Sequence, residues 1–139
     1  MEKEMKKEEL SMQQAMLGRD RGFIKAMTHV FAKTVKDLPC GAIVDGSCDD
    51  MRYELWKAGE ETFCAVFVVP GRQEIVCVKI GADPFFYAAD WTTHQQLSYE
   101  DDPEKVFETV SDIARHLYEY TGDIISDLLK VCREYSYAS

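Results

Sequence analysis

The middle of the chain contains three strand-like runs in close succession, and this grouping restricts the fold more than any other feature. The runs are MRYELWKAG, TFCAVFVV and QEIVCVKI. Met51, Tyr53 and Leu55 alternate with other residues in the first run, as in a half-buried strand. Pro70 and Gly71 provide a turn before the third run, because proline fixes φ and glycine accepts a positive φ. Short connections of this kind predict an antiparallel β-meander of at least three strands.

The segments beside these runs are less regular. The apolar residues 42–44 predict a short edge strand, and the aromatic residues 85–87 suggest a fourth strand of the meander. The next residues, DWTTHQQL, also fit a short helix capped by Asp90, so the sequence leaves both strand and helix open for residues 85–99. The run TFCAVFVV is apolar at both odd and even positions, so both faces of this strand would be apolar. This predicts a central strand that is packed tightly or covered on both faces.

A helical segment precedes the strands, because residues 1–37 lack proline and consist mostly of helix formers. Its apolar residues fall on one broad face of a helical wheel: Met1, Met5, Met12, Met16, Phe23, Met27 and Val30. One long helix would fit this pattern. We favour instead a break near Gly18–Gly22, where Asp20 can cap a second helix and residues 1–22 become a helical extension.

Two helices are predicted after the strands. Asp102 and Pro103 form an N-cap and first helical position, Gly122 ends that helix, and Asp123 caps the last one. Strands grouped between helices predict one α+β domain over residues 1–139, with an antiparallel meander of three to four strands. The terminal helices, including two C-terminal ones, should cover one face of the sheet.

The charge distribution excludes several classes of partner. The net charge is −9, with +2 in residues 1–40, −6 in residues 41–100 and −5 in residues 101–139. An acidic protein is a poor ligand for nucleic acid and for anionic lipid, and no signal peptide or membrane span is predicted. The five cysteines are scattered and odd in number, which favours reduced thiols in a cytoplasmic protein.

No catalytic, metal or cofactor motif stands out. The loop DGSCDD begins like a calcium loop but places Asp50 where glycine is required, and Trp56 where glutamate is required. Glu108, Asp112 and His116 share one helical face with Glu119. This face lies opposite the apolar stripe of the same helix, which includes Phe107, Val110 and Leu117. We therefore expect it to be exposed to water, and we predict neither metal nor cofactor.

The methionine face of the N-terminal helix is where we expect a partner. Methionines on a charged helix form an adaptable apolar surface, and charge pairs alone are too weak to hold a free helix rigid. The face should therefore pack on the chain's own sheet, on a second copy or on another protein. The predicted partner-binding residues are Met5, Met12, Met16, Arg19 and Phe23.

Two functional hypotheses follow. We favour a non-enzymatic, acidic cytoplasmic protein that binds another protein and regulates or inhibits it. A basic partner would be steered to it by the opposite charge. Homodimerisation through the N-terminal helix is a further option. Bacterial immunity proteins, antitoxin-like modules and phage-encoded inhibitors offer an analogy of size and charge, without a shared motif. The alternative is a small-molecule-binding domain or minor enzyme, with a pocket near Phe86, Trp91 and His94.

Overall fold

The computed structural model describes the backbone of residues 2–138 and the side chains of residues 9 and 11–135. Its elements in chain order are α1 (Glu2–Thr34), β1 (Ile43–Cys48), β2 (Met51–Lys57), β3 (Phe63–Val68), β4 (Glu74–Ile80), β5 (Phe85–Asp90), β6 (Gln96–Leu97) and α2 (Pro103–Ala138). The strands form one antiparallel sheet in which each pairs with the next along the chain. The predicted α+β architecture and meander are confirmed, but the sheet has six strands rather than three to four.

Tight turns account for the meander. Cys48 pairs with Met51, so that Asp49 and Asp50 alone make the first turn, and Asp49 adopts a positive φ of 53°. Gly71, after Pro70, has a φ of 95° in the turn between β3 and β4.

The segment after β5 is a turn, so of the two alternatives that the sequence left open for residues 85–99, the short helix does not form. The backbone N–H groups of Thr92 and Thr93 both donate to the carboxylate of Asp90, at 2.8 and 2.9 Å. Asp90 therefore caps, as expected, but it caps a turn. His94 then adopts a φ of 61°, and the chain returns at once to pair β6 with β5. Five residues between the paired strands leave no room for a helix.

Helix α1 is continuous, and the predicted break near Gly18–Gly22 is wrong. Leu17, Ile24 and Phe31 are all buried and recur every seven residues, so one apolar stripe passes the glycines and enters the core. Burial of this stripe outweighs the low helix propensity of glycine, which costs about 1 kcal/mol per residue relative to alanine.

The C-terminal helical region is also one element, where two helices were predicted. Tyr120 departs from helical geometry, with φ −116° and ψ 19°, and this kink lies close to the predicted end at Gly122. However, Leu117, Ile124 and Leu128 are fully buried on both sides of the kink. The parts of α2 before and after the kink therefore pack into the same core.

The helices lie side by side on one face of the sheet and run in the same direction. The rings of Phe23 and Tyr118 are 6.2 Å apart, and further along both helices the Cys132 thiol donates to the Thr34 carbonyl at 3.6 Å. The sheet residues that face the helices belong to one hydrophobic core, which includes Leu55, Phe67, Val76, Val78 and Ala88. The prediction that helices cover one face is confirmed. Neither helix in residues 2–138 is long and apolar enough to cross a membrane.

Candidate partner-binding surfaces

The other face of the sheet, here called the open face, is formed by the residues that alternate with those of the core. They make three rows across the strands: Ile43, Trp56, Cys64, Lys79 and Phe85; Asp45, Glu54, Val66, Cys77 and Tyr87; Ser47, Arg52, Val68, Ile75, Ala89 and Gln96. Cys64, Ile75 and Ala89 are buried by their neighbours but stand outside the helix-packed core. Within residues 2–138, both helices pack on the opposite side of the sheet.

The open face is unusually apolar for a face without a helical layer. Val66, Val68 and Tyr87 are half-buried at its centre, and Ile43 and Phe85 are 62% and 39% exposed. β3 is a central strand, as predicted, but helices cover only one of its two apolar faces. An antiparallel sheet with one solvated face normally alternates apolar and polar residues, and β3 and β4 do not.

Aromatic and sulfur groups pack together at one end of the open face. The rings of Phe85 and Tyr87 are 5.2 Å apart, and the Lys79 Nζ lies 5.9 Å from the Phe85 ring. Burial raises the pKa of the Cys77 thiol and of the Tyr87 phenol, which are cross-strand neighbours on β4 and β5. Both groups are therefore neutral at physiological pH, and the formal charges of this end come from Lys79 alone.

A groove of about 710 Å³ lies at the other end of the open face. Its lining includes the apolar Val66 and Val68, the oppositely charged Arg52 and Glu54, and the ring of Trp91. Trp91 is 55% exposed and is held at this position by a hydrogen bond from its backbone N–H to the Gln73 carbonyl.

The three residues predicted to form a ligand pocket do not share one cleft. Phe86 faces the helices, where the Arg21 guanidinium lies 5.0 Å from its ring. Trp91 lines the groove on the open face, and His94 is exposed in the turn before β6. The nearby Asp90 carboxylate is engaged by backbone N–H groups, and these hydrogen bonds lower its pKa.

The predicted partner-binding residues lie on the helical layer. Met12 and Met16 are 65% and 38% exposed, Arg19 is exposed, and Phe23 is half-buried against Tyr118. The side chain of Met5 lies outside the described residues. We call Met12, Met16, Phe23 and Tyr118 the methionine surface; Tyr118 was missed because the sequence does not show that α2 lies beside α1.

The methionine surface is distinct from the stripe that enters the core. Successive residues of a helix are about 100° apart, so Leu17 points well away from Met16. The helical wheel placed Met27 and Val30 on the same face, but in the structure Met27 is buried and Val30 is 39% exposed. The core stripe of Leu17, Ile24 and Phe31 therefore leaves the methionines at the flank of the helix.

His116 is buried, so the prediction of a fully solvated helical face is wrong at this position. Its Nδ1 lies 2.7 Å from the Asp112 carbonyl, to which it must donate, and its Nε2 lies 2.5 Å from Oδ1 of Asp50. Glu108 and Glu119 on the same face are exposed, as predicted. The β1–β2 turn reaches α2 and covers His116, a contact between distant residues that the helical pattern alone does not reveal.

Among the residues that the structure describes, Asp49, Asp50 and His116 form a group whose ligand atoms lie within 4.8 Å of one another, close enough to approach one metal ion. The Nε2 of His116 and the Oδ1 of Asp50 are already joined by a hydrogen bond of 2.5 Å, which a metal ion bound to both atoms would have to replace. Burial lowers the pKa of His116, but its hydrogen bonds to Asp112 and Asp50 outweigh burial and raise that pKa overall.

No family model, curated protein or solved structure matches this chain. Functional inference therefore depends on the surfaces described above: the methionine surface, the open face and the groove beside Trp91.

Proposed function

We propose that this chain is a small acidic protein-binding module of the cytoplasm, which regulates or inhibits a partner protein through its methionine surface. The observation that supports this most directly is the exposure of Met12 and Met16 on a helix whose other side packs into the core. Exposed apolar side chains in a row on a charged helix are expected where another protein binds.

The chemistry of the methionine surface suits such a contact. Methionine side chains adapt to the shape of a partner, and Tyr118, which is 77% exposed, provides the aromatic group that often dominates binding energy. Met12 and Phe23 are eleven residues apart, which on a helix is about 16 Å, a span sufficient for a helix-in-groove contact. Arg19 lies between them and can orient the partner.

The expected partner is basic. The chain carries a net charge of −9, and residues 101–139, which include α2, contribute −5. Opposite charge accelerates association and falls in effect as salt increases. We therefore expect the apolar contacts to set the lifetime of the complex, and the acidic residues of the chain to set its rate of formation.

Site-specific crosslinking tests this function. A photoreactive amino acid at position 16 is expected to capture a partner in cells that express the chain, whereas the same group at the exposed position 92 is not. Met16→Lys should weaken copurification of that partner at least tenfold, and the matched control Thr92→Lys should retain it. A partner retained equally by both variants would contradict the proposal, as would the absence of any partner at low and high salt. A product of two chains would identify a second copy as the occupant.

The groove beside Trp91 supports a second candidate, a small-molecule-binding domain. Its volume of about 710 Å³ and its mixture of Val66, Val68, Arg52 and Trp91 are those of a ligand site. A fragment screen followed by Trp91→Ala tests this: a bound fragment should raise the unfolding temperature of the wild type but not of the variant. If no fragment does so, the candidate is excluded in favour of protein binding.

A further inference from the structure

We infer that the open face is a self-association surface on which a second copy of this chain packs, sheet against sheet, around a two-fold axis. The centre of that face consists of Val66, Val68, Ile75, Cys77 and Tyr87, on the adjacent strands β3, β4 and β5. Two antiparallel sheets pack face to face about 10 Å apart, with side chains of this kind between them. Such packing would turn an open sheet into a sandwich flanked by helices.

The strand patterns assign an apolar layer to this side of the sheet. β2 alternates from Met51 to Leu55, and its open-face residues Arg52 and Glu54 are exposed. β3 and β4 do not alternate, and they keep valine, isoleucine and cysteine on the face away from the helices. β-branched side chains on both faces are typical of a strand that is buried on both faces.

The local charge favours a second copy over a basic protein as the occupant. The charged residues of the open face are Asp45, Glu54, Arg52 and Lys79, which sum to zero, whereas the whole chain carries −9. Two copies repel each other through most of their surfaces, and this repulsion is smallest where the local net charge is zero. In a two-fold contact, each basic residue can also face an acidic residue of the other copy.

The area of the face is sufficient. Strands β1–β5, of six or seven residues each, lie about 4.8 Å apart and rise about 3.3 Å per residue, which gives them a face of about 500 Å². Two such faces together bury about 1,000 Å² or more, because side chains corrugate the surface, and this reaches the lower limit of a specific interface.

This inference does not depend on the proposed function. The methionine surface belongs to the helical layer, on the other side of the sheet, so sheet-to-sheet packing leaves both copies of it accessible. A dimer formed by the open face would present two methionine surfaces pointing away from each other.

Sedimentation equilibrium of the full chain over a hundredfold concentration range tests the inference. The wild type should approach twice its 15.9 kDa mass, and Val66→Lys should weaken association at least tenfold because it places a charge at the centre of the interface. Arg52→Glu is a second variant whose side chain is exposed and therefore does not endanger folding; it changes the charge of the face from zero to −2 and should also weaken association, less so at high salt. Ser126→Lys, at an exposed position of α2 outside both surfaces, is the control and should sediment as the wild type does, and Met16→Lys tests whether α1 contributes.

Two results would overturn the inference. One is a wild-type chain that remains monomeric throughout the range. The other is a dimer that survives Val66→Lys and Arg52→Glu but is lost with Met16→Lys, which would place self-association on helix α1. Failure of the crosslinking experiment at position 16 bears on the proposed function alone, because the open face is not altered in it.

Discussion

The Nε2 atom of His116 lies 2.5 Å from Oδ1 of Asp50 and joins helix α2 to the turn between β1 and β2. The other ring nitrogen donates to the Asp112 carbonyl at 2.7 Å. An imidazole that donates from both nitrogens is protonated, and a carboxylate is the acceptor that best stabilises it. The contact is therefore a charged hydrogen bond between residues 66 positions apart.

The His116–Asp50 contact predicts that raising the pH weakens the fold. The pKa of His116 is raised above its usual 6.5, so the folded chain holds this proton more tightly than the unfolded chain. The resulting stabilisation is complete below pH 6.5 and disappears as the pH rises through the folded-state pKa. Urea unfolding of the wild type and His116→Gln from about pH 6 to about pH 9 should show this component in the wild type alone.

The Asp50 carboxylate of the same contact contributes stability with the opposite pH dependence, because its contribution is lost in acid. The hydrogen bond from His116 lowers the pKa of Asp50 below 3.8, so its contribution is present above that pH and is lost as the pH falls through the lowered value. The control for the alkaline side is His94→Gln, the same substitution at an exposed histidine in the turn before β6. Equal pH dependence in His116→Gln and the wild type would contradict the assignment.

Adjacent residues of β3 predict losses of stability of very different size on truncation. Phe67 is fully buried against the helices, and Phe67→Ala should lower the free energy of unfolding by about 3–5 kcal/mol. Val66 points to the open face, and Val66→Ala should cost less than about 1 kcal/mol when it is measured at concentrations below self-association. Urea denaturation of both variants measures the difference. Similar losses would mean that the core does not lie on the helical side.

The order of elements could be predicted because each strand and helix has a local signature. The alternation of Met51, Tyr53 and Leu55 and the turn at Pro70 and Gly71 were sufficient to identify the meander. The sixth strand was missed because β6 contains only two residues, which are too few to show a period. The continuity of α1 was missed because it depends on burial of Leu17 and the stripe that follows it, a tertiary effect that outweighs local propensity.

The surfaces were harder to predict than the fold. The exposure of Met12 and Met16 agrees with a helix face that does not enter the core, but Tyr118 joins them only because the helices are parallel. The burial of His116 was also indicated by the sequence, because His116 lies beside Ile113 and Leu117 on α2, and both of these apolar residues are in the core. The contact of His116 with Asp50 had no such signal, because Asp50 lies in the β1–β2 turn, 66 residues away in the sequence.

The continuous helix predicts that alanine at either glycine stabilises the chain. A Cβ added at Gly18 or Gly22 would have no atom within 4 Å outside its own helix and immediate neighbours. Gly18→Ala and Gly22→Ala should each raise the free energy of unfolding by about 0.5–1 kcal/mol, since alanine has the higher helix propensity. Gly81→Ala is the contrasting variant: Gly81 has a φ of 103° and a Cβ there would collide with the Glu61 carbonyl, so it should destabilise. A loss of stability at Gly18 or Gly22 would indicate a break in α1.

Arg72 predicts a salt-dependent link between the β3–β4 turn and α2. Its Nη1 donates to Asp112 at 3.0 Å, its Nη2 lies 3.4 Å from Glu108, and its Nε lies 3.8 Å from Glu74. The side chain is 23% exposed, so screening by water is only partial. Arg72→Met removes the charge but keeps an apolar stem of similar length, and it should cost about 1 kcal/mol at low salt and less at high salt.

Arg115 provides the matched control for Arg72, because it pairs with the other oxygen of the same Asp112 carboxylate. That contact is 3.6 Å long and the Arg115 side chain is 62% exposed, so Arg115→Met should cost less than about 0.5 kcal/mol. Chemical denaturation of both variants at two salt concentrations makes the comparison. Because Asp112 also accepts the hydrogen bond of His116 through its carbonyl, Arg72→Met should reduce stability without removing its pH dependence. An Arg72→Met cost equal to or below that of Arg115→Met would show that the turn does not depend on this link.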